Sequence, residues 1–175
     1  MTIVLDASVG VPLVHPEAGS ERWRALAGAW RREGRDLVVP AHFWLEITNV
    51  LDARHRYAGK QVLEALHLLD DVVSETVEVG RPLLLVALDR AERLGLTLHD
   101  ATYLALAETL DAELATADEA LRVAAADRLA DDGDVRRLSE SPAGYDSALP
   151  TWLEYGGAAS YLAALRARVT AGGRG

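Results

Sequence analysis

Four carboxylates, Asp6, Glu46, Asp100 and Asp118, occupy places in the chain where apolar segments begin or end. Asp6 follows the run Thr2-Ile3-Val4-Leu5, and Asp118 follows Glu113-Leu114-Ala115-Thr116. Asp100 opens a stretch apolar on almost every side: Ala101, Tyr103, Leu104, Ala105, Leu106, Ala107 and Leu110. Glu46 stands at the margin of the apolar face formed by Phe43, Ile47, Val50 and Leu51. Each acid alone has a bland reading. The three Asp residues suit helix caps, since Asp is a preferred cap and negative charge is favoured at a helix N-terminus. Glu46 can extend to solvent and pair with an Arg. Taken together, converging carboxylates repel one another and raise each other's pKa. A hard divalent cation relieves that repulsion, and Mg²⁺ or Mn²⁺ prefers carboxylate oxygen and keeps several waters. Such an ion acidifies water and stabilises both oxygens of an in-line displacement at phosphorus.

No competing apparatus is visible. The sequence has no Gly-rich phosphate loop, no nucleophile-elbow motif and no zinc-type His pair. Its lack of cysteine excludes disulfides, thiolate metal sites and thiol nucleophiles. The five His are scattered, and His99, beside Asp100, is read as a solvent-facing or capping residue.

The elements that must position these acids alternate along the chain. Residues 2–5 read as a fully apolar central strand, with Asp6 at its carboxyl end, where open α/β sheets place their ligands. A short helix follows to Val14, broken at His15-Pro16, and a second spans about 17–32 with Trp23, Leu26, Ala27 and Trp30 at helical spacing. Leu37-Val38-Val39 is the next strand, closed by Pro40, and a helix over about 41–54 carries Glu46 and, three residues on, Asn49. Beyond Gly59 a helix carries Val62, Leu63, Leu66 and Leu69, and residues 76–79 alternate as a strand. Pro82 suits the first turn of the next helix and Gly95 its end. The apolar run from Asp100 is a core helix that breaks near Asp111, residues 113–116 form a strand, and 119–126 a short helix. Val135 to Leu138 is expected to be a last strand. The pattern predicts an α/β fold, a mainly parallel sheet with helices on both faces, over residues 1–138. Residues 139–175 read as an extension with one helix, striped by Ala158, Tyr161, Leu162, Leu165 and Val169, and a flexible end.

With 175 residues the chain has room for one domain with a sizeable core. No apolar stretch is long enough to span a bilayer and the first residues lead directly into a strand, so a cytoplasmic location is expected. The balance of 18 basic against 27 acidic residues, a net charge of −9, is poor for holding nucleic acid by bulk electrostatics. A nucleic-acid substrate therefore requires metal ions and a local patch of Arg, such as Arg54, Arg56 and Lys60 or Arg22 and Arg24. Those residues equally describe a solvated face.

IVLDAS at the start, Pro40, Glu46, Asn49 and Leu51 in the pattern P-x5-E-x2-N-x-L, then HDATYLALA and TAD at 116–118, together resemble the PIN domain, and in this size range the VapC toxins of VapBC toxin-antitoxin systems. Each motif is short; all four in order make the match specific. The resemblance implies an α/β/α sandwich and a Mg²⁺- or Mn²⁺-dependent ribonuclease. It maps the catalytic and metal-binding acids onto Asp6, Glu46, Asp100 and Asp118, and supporting polar positions onto Ser8, Asn49 and Thr116. It further implies an RNA substrate, a homodimer, and a cognate antitoxin whose C-terminal segment covers the site. Residues 139–175 extend past the usual small core. A PIN nuclease of RNA processing and a non-catalytic PIN-like binding module are the alternatives, the second opposed by the intact tetrad. An aspartyl-phosphate phosphatase is disfavoured because Asp6-Ala7-Ser8 lacks the second acid of such chemistry.

Overall fold

The computed structural model describes residues 1–127, together with Ala163 and Ala167, both helical. The strand expected at 135–138 and the extension from 139, those two positions apart, lie outside the described residues. Within residues 1–127, twelve segments follow in order: β1 (Thr2–Leu5), α1 (Ala7–Val14), α2 (Ser20–Arg32), β2 (Asp36–Pro40), α3 (His42–Asn49), a π-helical turn (Val50–Arg54), α4 (Gly59–Asp70), β3 (Glu75–Val77), α5 (Arg81–Leu94), α6 (Leu98–Leu110), β4 (Glu113–Ala115) and α7 (Glu119–Asp127).

The four strands form one parallel sheet in the order β3-β2-β1-β4. Ile3 lies opposite Leu37 of β2 and Glu113 of β4, and Val38 lies opposite Glu75 of β3. All four residues of β1 are buried, although alternate side chains point to opposite faces, so both faces of the sheet are covered. Successive strands run outward from β1 through β2 to β3, and the chain then returns to place β4 on β1's other side. This reversal makes the carboxyl ends of β1 and β4 the switch point at which α/β sheets open a crevice.

The central helix is α6, buried at every residue from Ala101 to Ala107 and again at Leu110, as its all-round apolar sequence requires. It packs on β1, β2 and β4, while α5 packs along it. Arg90 of α5, 8% exposed, joins the two helices through both oxygens of Glu108 at 3.2 and 3.0 Å. The ends follow local chemistry: Gly95 ends α5 at φ 66°, Asp111 ends α6 at φ 52°, and both lie in the left-handed region.

Several details depart from the sequence reading, among them β3, which runs over Glu75–Val77 instead of 76–79. Helix α2 starts at Ser20 instead of Glu17, because Gly19 at φ 89° turns the chain and the Ser20 hydroxyl accepts from Glu17 N–H at 2.8 Å. The helix expected over 41–54 divides into α3 and a π-helical turn. Leu63 of α4 is 53% exposed; the buried side of that helix is Val62, Ala65 and Leu69.

Candidate functional site

Asp6 follows the last residue of β1, and its N–H extends the ladder to Ala115 O of β4 at 3.0 Å. Its backbone carbonyl accepts the first N–H groups of α1, from Val9 and Gly10 at 3.0 Å, but its side chain makes no capping bond. The carboxylate, 5% exposed, instead takes both the Ser8 hydroxyl and the Thr116 hydroxyl on Oδ2, the latter at 2.8 Å. These hydroxyls also bind the loop after β4: Ala117 N–H donates to Ser8 Oγ at 2.8 Å and Asp118 N–H to Thr116 Oγ1 at 3.0 Å. A continuous polar seam thus ties the ends of the two adjacent strands. Ser8 and Thr116 are two of the three supporting polar positions that the resemblance singled out; the third is Asn49.

The other acids are held in the same economical way, each using one oxygen on a protein donor. Thr97, not Asp100, caps α6: its Oγ1 accepts from Asp100 N–H at 3.2 Å, and its hydroxyl donates back to Asp100 Oδ2 at 2.6 Å. Asp100 therefore stands in the first turn, where the helix dipole favours a negative charge. Asp118 does fill the capping role open to it, accepting from Leu121 N–H on Oδ1 at 2.8 Å. Glu46, on α3, accepts the Tyr103 hydroxyl on Oε2. Asn49 is exposed on the last residue of α3.

All four acids line one open cavity of about 570 Å³, together with Ser8, Asn49, Glu17 and Arg54. The cavity lies where the sheet topology opens its crevice. Thr116 acts from behind it through Asp6. Burial raises the pKa of Asp6 above its ordinary value, partly offset by the Ser8 and Thr116 hydroxyls and reinforced by the Asp100 charge. Glu46 is also raised, by burial first and by Asp6 and Asp100, against the lowering effect of the Tyr103 hydroxyl and His99. The Asp100 charge thus acts on both Asp6 and Glu46, and that of Asp6 on Glu46. His42, at the start of α3, is lowered to about 4 by burial and by His99, so it is neutral at pH 7.

Among the described residues, no three His, Asp or Glu side chains are gathered tightly enough to clasp an ion by themselves. The donor set nevertheless fits a cation of one kind. It is all oxygen and it carries excess negative charge in a half-buried crevice, the donor chemistry that a hard divalent cation prefers. A soft or fully enclosed metal finds neither thiolates nor a closed cage here.

Sequence reasoning missed Tyr103, Glu17 and Thr97 as members of this region, and named Arg54 only as part of a basic patch. Tyr103 was counted as core because it occurs inside an apolar run, and it is indeed fully buried. The one available signal was T-x-x-D at 97–100, a Thr three residues before an acid that opens an apolar helix.

The family model described as PIN domain matches residues 3–127. Several solved structures are similar, two of them as follows. One is VapC20 of Mycobacterium tuberculosis, a sarcin-ricin loop cleaving toxin: TM-score 0.59, 20% identity, 70% of this chain and 94% of that one covered. The other is PAE2754 from Pyrobaculum aerophilum: TM-score 0.52, 24% identity, 71% of this chain and 84% of that one covered. No curated protein sequence matches the chain.

Proposed function

The chain belongs to the PIN domain family, and on that premise we propose that it is a metal-dependent endoribonuclease, the toxin of a type II toxin-antitoxin pair, hydrolysing phosphodiester bonds in structured RNA. The observation that carries this reading is the convergence of Asp6, Glu46, Asp100 and Asp118, from four separate segments, on one crevice that also contains Arg54.

Asp6, Glu46 and Asp100 are the residues that would hold Mg²⁺ or Mn²⁺, directly or through water. When bound, the cation neutralises the carboxylates and stabilises the charge that develops on the reacting phosphate oxygens. The chain's own groups supply the rest. Ser8 and Thr116 keep Asp6 oriented in its buried position. Asp118, exposed and with one oxygen engaged by the backbone, is suited to orient a water beside the scissile phosphate. Arg54, with a planar guanidinium matched to phosphate, supplies local positive charge to a chain that is acidic overall. Asn49 adds an exposed amide at the crevice.

A structured RNA agrees with the target named for the similar VapC20 structure. The same reading carries a homodimer, an antitoxin partner and a cytoplasmic place of action. Among the described residues no helix is long and apolar enough to cross a membrane.

Cleavage-site mapping tests the proposal. Total RNA from the protein's own source is incubated with the purified protein, with Mn²⁺ or with chelator, beside Asp100→Asn, and new 5′ ends are sequenced. A few sharp, metal-dependent ends absent from the variant are expected. Folded, Mn²⁺-loaded, antitoxin-free protein that produces no new ends would remove the nuclease reading in favour of a binding module.

A further inference from the structure

Of the four acids in the crevice, Glu46 has the longest side chain, with one more rotatable bond than Asp and correspondingly more freedom to lose. Asp6, Asp100 and Asp118 are fixed by groups close in sequence or across the adjacent strand. Glu46 is fixed by Tyr103, 57 residues away. Tyr103 is fully buried, and its ring meets His42 edge-on at 4.8 Å, so the direction of its hydroxyl is set by the core. It lies three residues after Asp100 on α6, on the same face of a helix seated against β1, β2 and β4. One rigid element thus presents an acid to the crevice and, one turn on, a donor to the acid from α3.

We propose that Tyr103 is a positioning residue, which holds Glu46 by Oε2 in a single orientation and leaves Oε1 as its oxygen for the cation. This inference rests on the reading of the crevice as a divalent-cation site. It assigns the hydroxyl a role that packing alone does not need, since Phe would fill the same volume. The arrangement is that of a metal-ligating carboxylate oriented by an outer hydrogen bond, whose loss typically weakens metal affinity by about 10- to 100-fold.

The test uses the full-length protein and Mn²⁺ alone, titrated by calorimetry into wild type, Tyr103→Phe, Glu46→Gln and the double variant, with circular dichroism to establish folding. Wild type should bind, Tyr103→Phe should bind about 10-fold more weakly, and Tyr103→Phe should add no further loss in the Glu46→Gln background. Binding by Tyr103→Phe within about twofold of wild type would overturn the positioning role while leaving the nuclease reading intact. A wild type that binds no Mn²⁺ would overturn the cation site itself, and this inference with it. A second measurement does not depend on the Phe variant folding. In wild type, the proton NMR signal of the buried Tyr103 hydroxyl, identified by its upfield movement in Glu46→Gln, should persist when diamagnetic Mg²⁺ is added. Its disappearance would mean that the cation draws Glu46 away from Tyr103, which contradicts the proposal.

Discussion

Replacing Gly10 with Ala tests whether the contact between α1 and α3 sets the position of Glu46. Gly10 is buried in α1, and a Cβ there would lie 2.6 and 2.7 Å from Cζ and Cε2 of Phe43 and 2.8 Å from Cδ1 of Ile47. Carbon atoms prefer about 3.5–4.0 Å, so the overlap is on the order of 1 Å. Phe43 and Ile47 are both fully buried, so neither can turn out into solvent. The displacement must therefore pass to α3, whose Glu46 stands between them in sequence. Inside a helix, Gly→Ala alone stabilises by roughly 0.5–1 kcal/mol, whereas overpacking a core costs roughly 1–3 kcal/mol. The net expectation is a loss of about 1–2 kcal/mol, or about 2–8 °C in Tm for a chain of this size. A shift of Glu46 by a large part of an ångström should lower RNA cleavage by up to about 100-fold. Urea unfolding and initial cleavage rates at saturating Mn²⁺ measure both effects. A variant more stable than wild type with undiminished cleavage would refute the reasoning, since the helix preference of Ala would then have prevailed without moving the site.

Three further outcomes are expected. Asp100→Asn should lower cleavage by about 100-fold or more while leaving metal-free stability unchanged or higher, because Thr97 caps α6 through its own oxygen and one repulsive charge disappears; a large metal-free loss in urea unfolding would assign Asp100 a structural role instead. Burial raises Asp6 and Glu46 above their ordinary values of 3.8 and 4.5, so the stability they contribute is fully present below those values and is lost as pH rises through the raised ones. With chelator present, the stability of Asp6→Asn and Glu46→Gln relative to wild type should therefore increase from about pH 4 upward, and Mn²⁺ at pH 7 should stabilise wild type more than either variant; a flat difference across pH would contradict this. Arg90→Ala removes a nearly buried cation that bridges Asp89 and Glu108, with a loss of roughly 3 kcal/mol in urea unfolding; an unchanged midpoint would show that the α5–α6 contact is held by apolar packing alone.

Much of the fold was legible because burial leaves a periodic trace. A strand covered on both faces must be apolar throughout, as Thr2–Leu5 largely is, and a helix surrounded by protein must be apolar all round, as α6 is. The breaks at Pro40, Gly95 and Asp111 are likewise local, set by ring geometry or left-handed backbone. Even the π-helical turn at Val50–Arg54 preserves the apolar spacing of a helix, which is why the sequence reads as one uninterrupted element. The candidate site was legible where acids stand at strand ends and helix starts, Asp118 among them although it also caps α7. It was illegible where a residue serves two purposes: Tyr103 reads as core because its ring is core, and only its hydroxyl meets an acid of the crevice.

By itself, the sequence determined the order and kind of the elements and the oxygen-only chemistry of their junctions, because both depend on residue type and near neighbours. The tertiary structure alone decided which junctions meet. Placing β4 beside β1, more than a hundred residues away in the chain, brings Thr116 and Asp118 to Asp6, and packing α6 against the sheet brings Tyr103 to Glu46. Local periodicity specifies which face of an element is buried; what it is buried against is settled by the packing of the whole core.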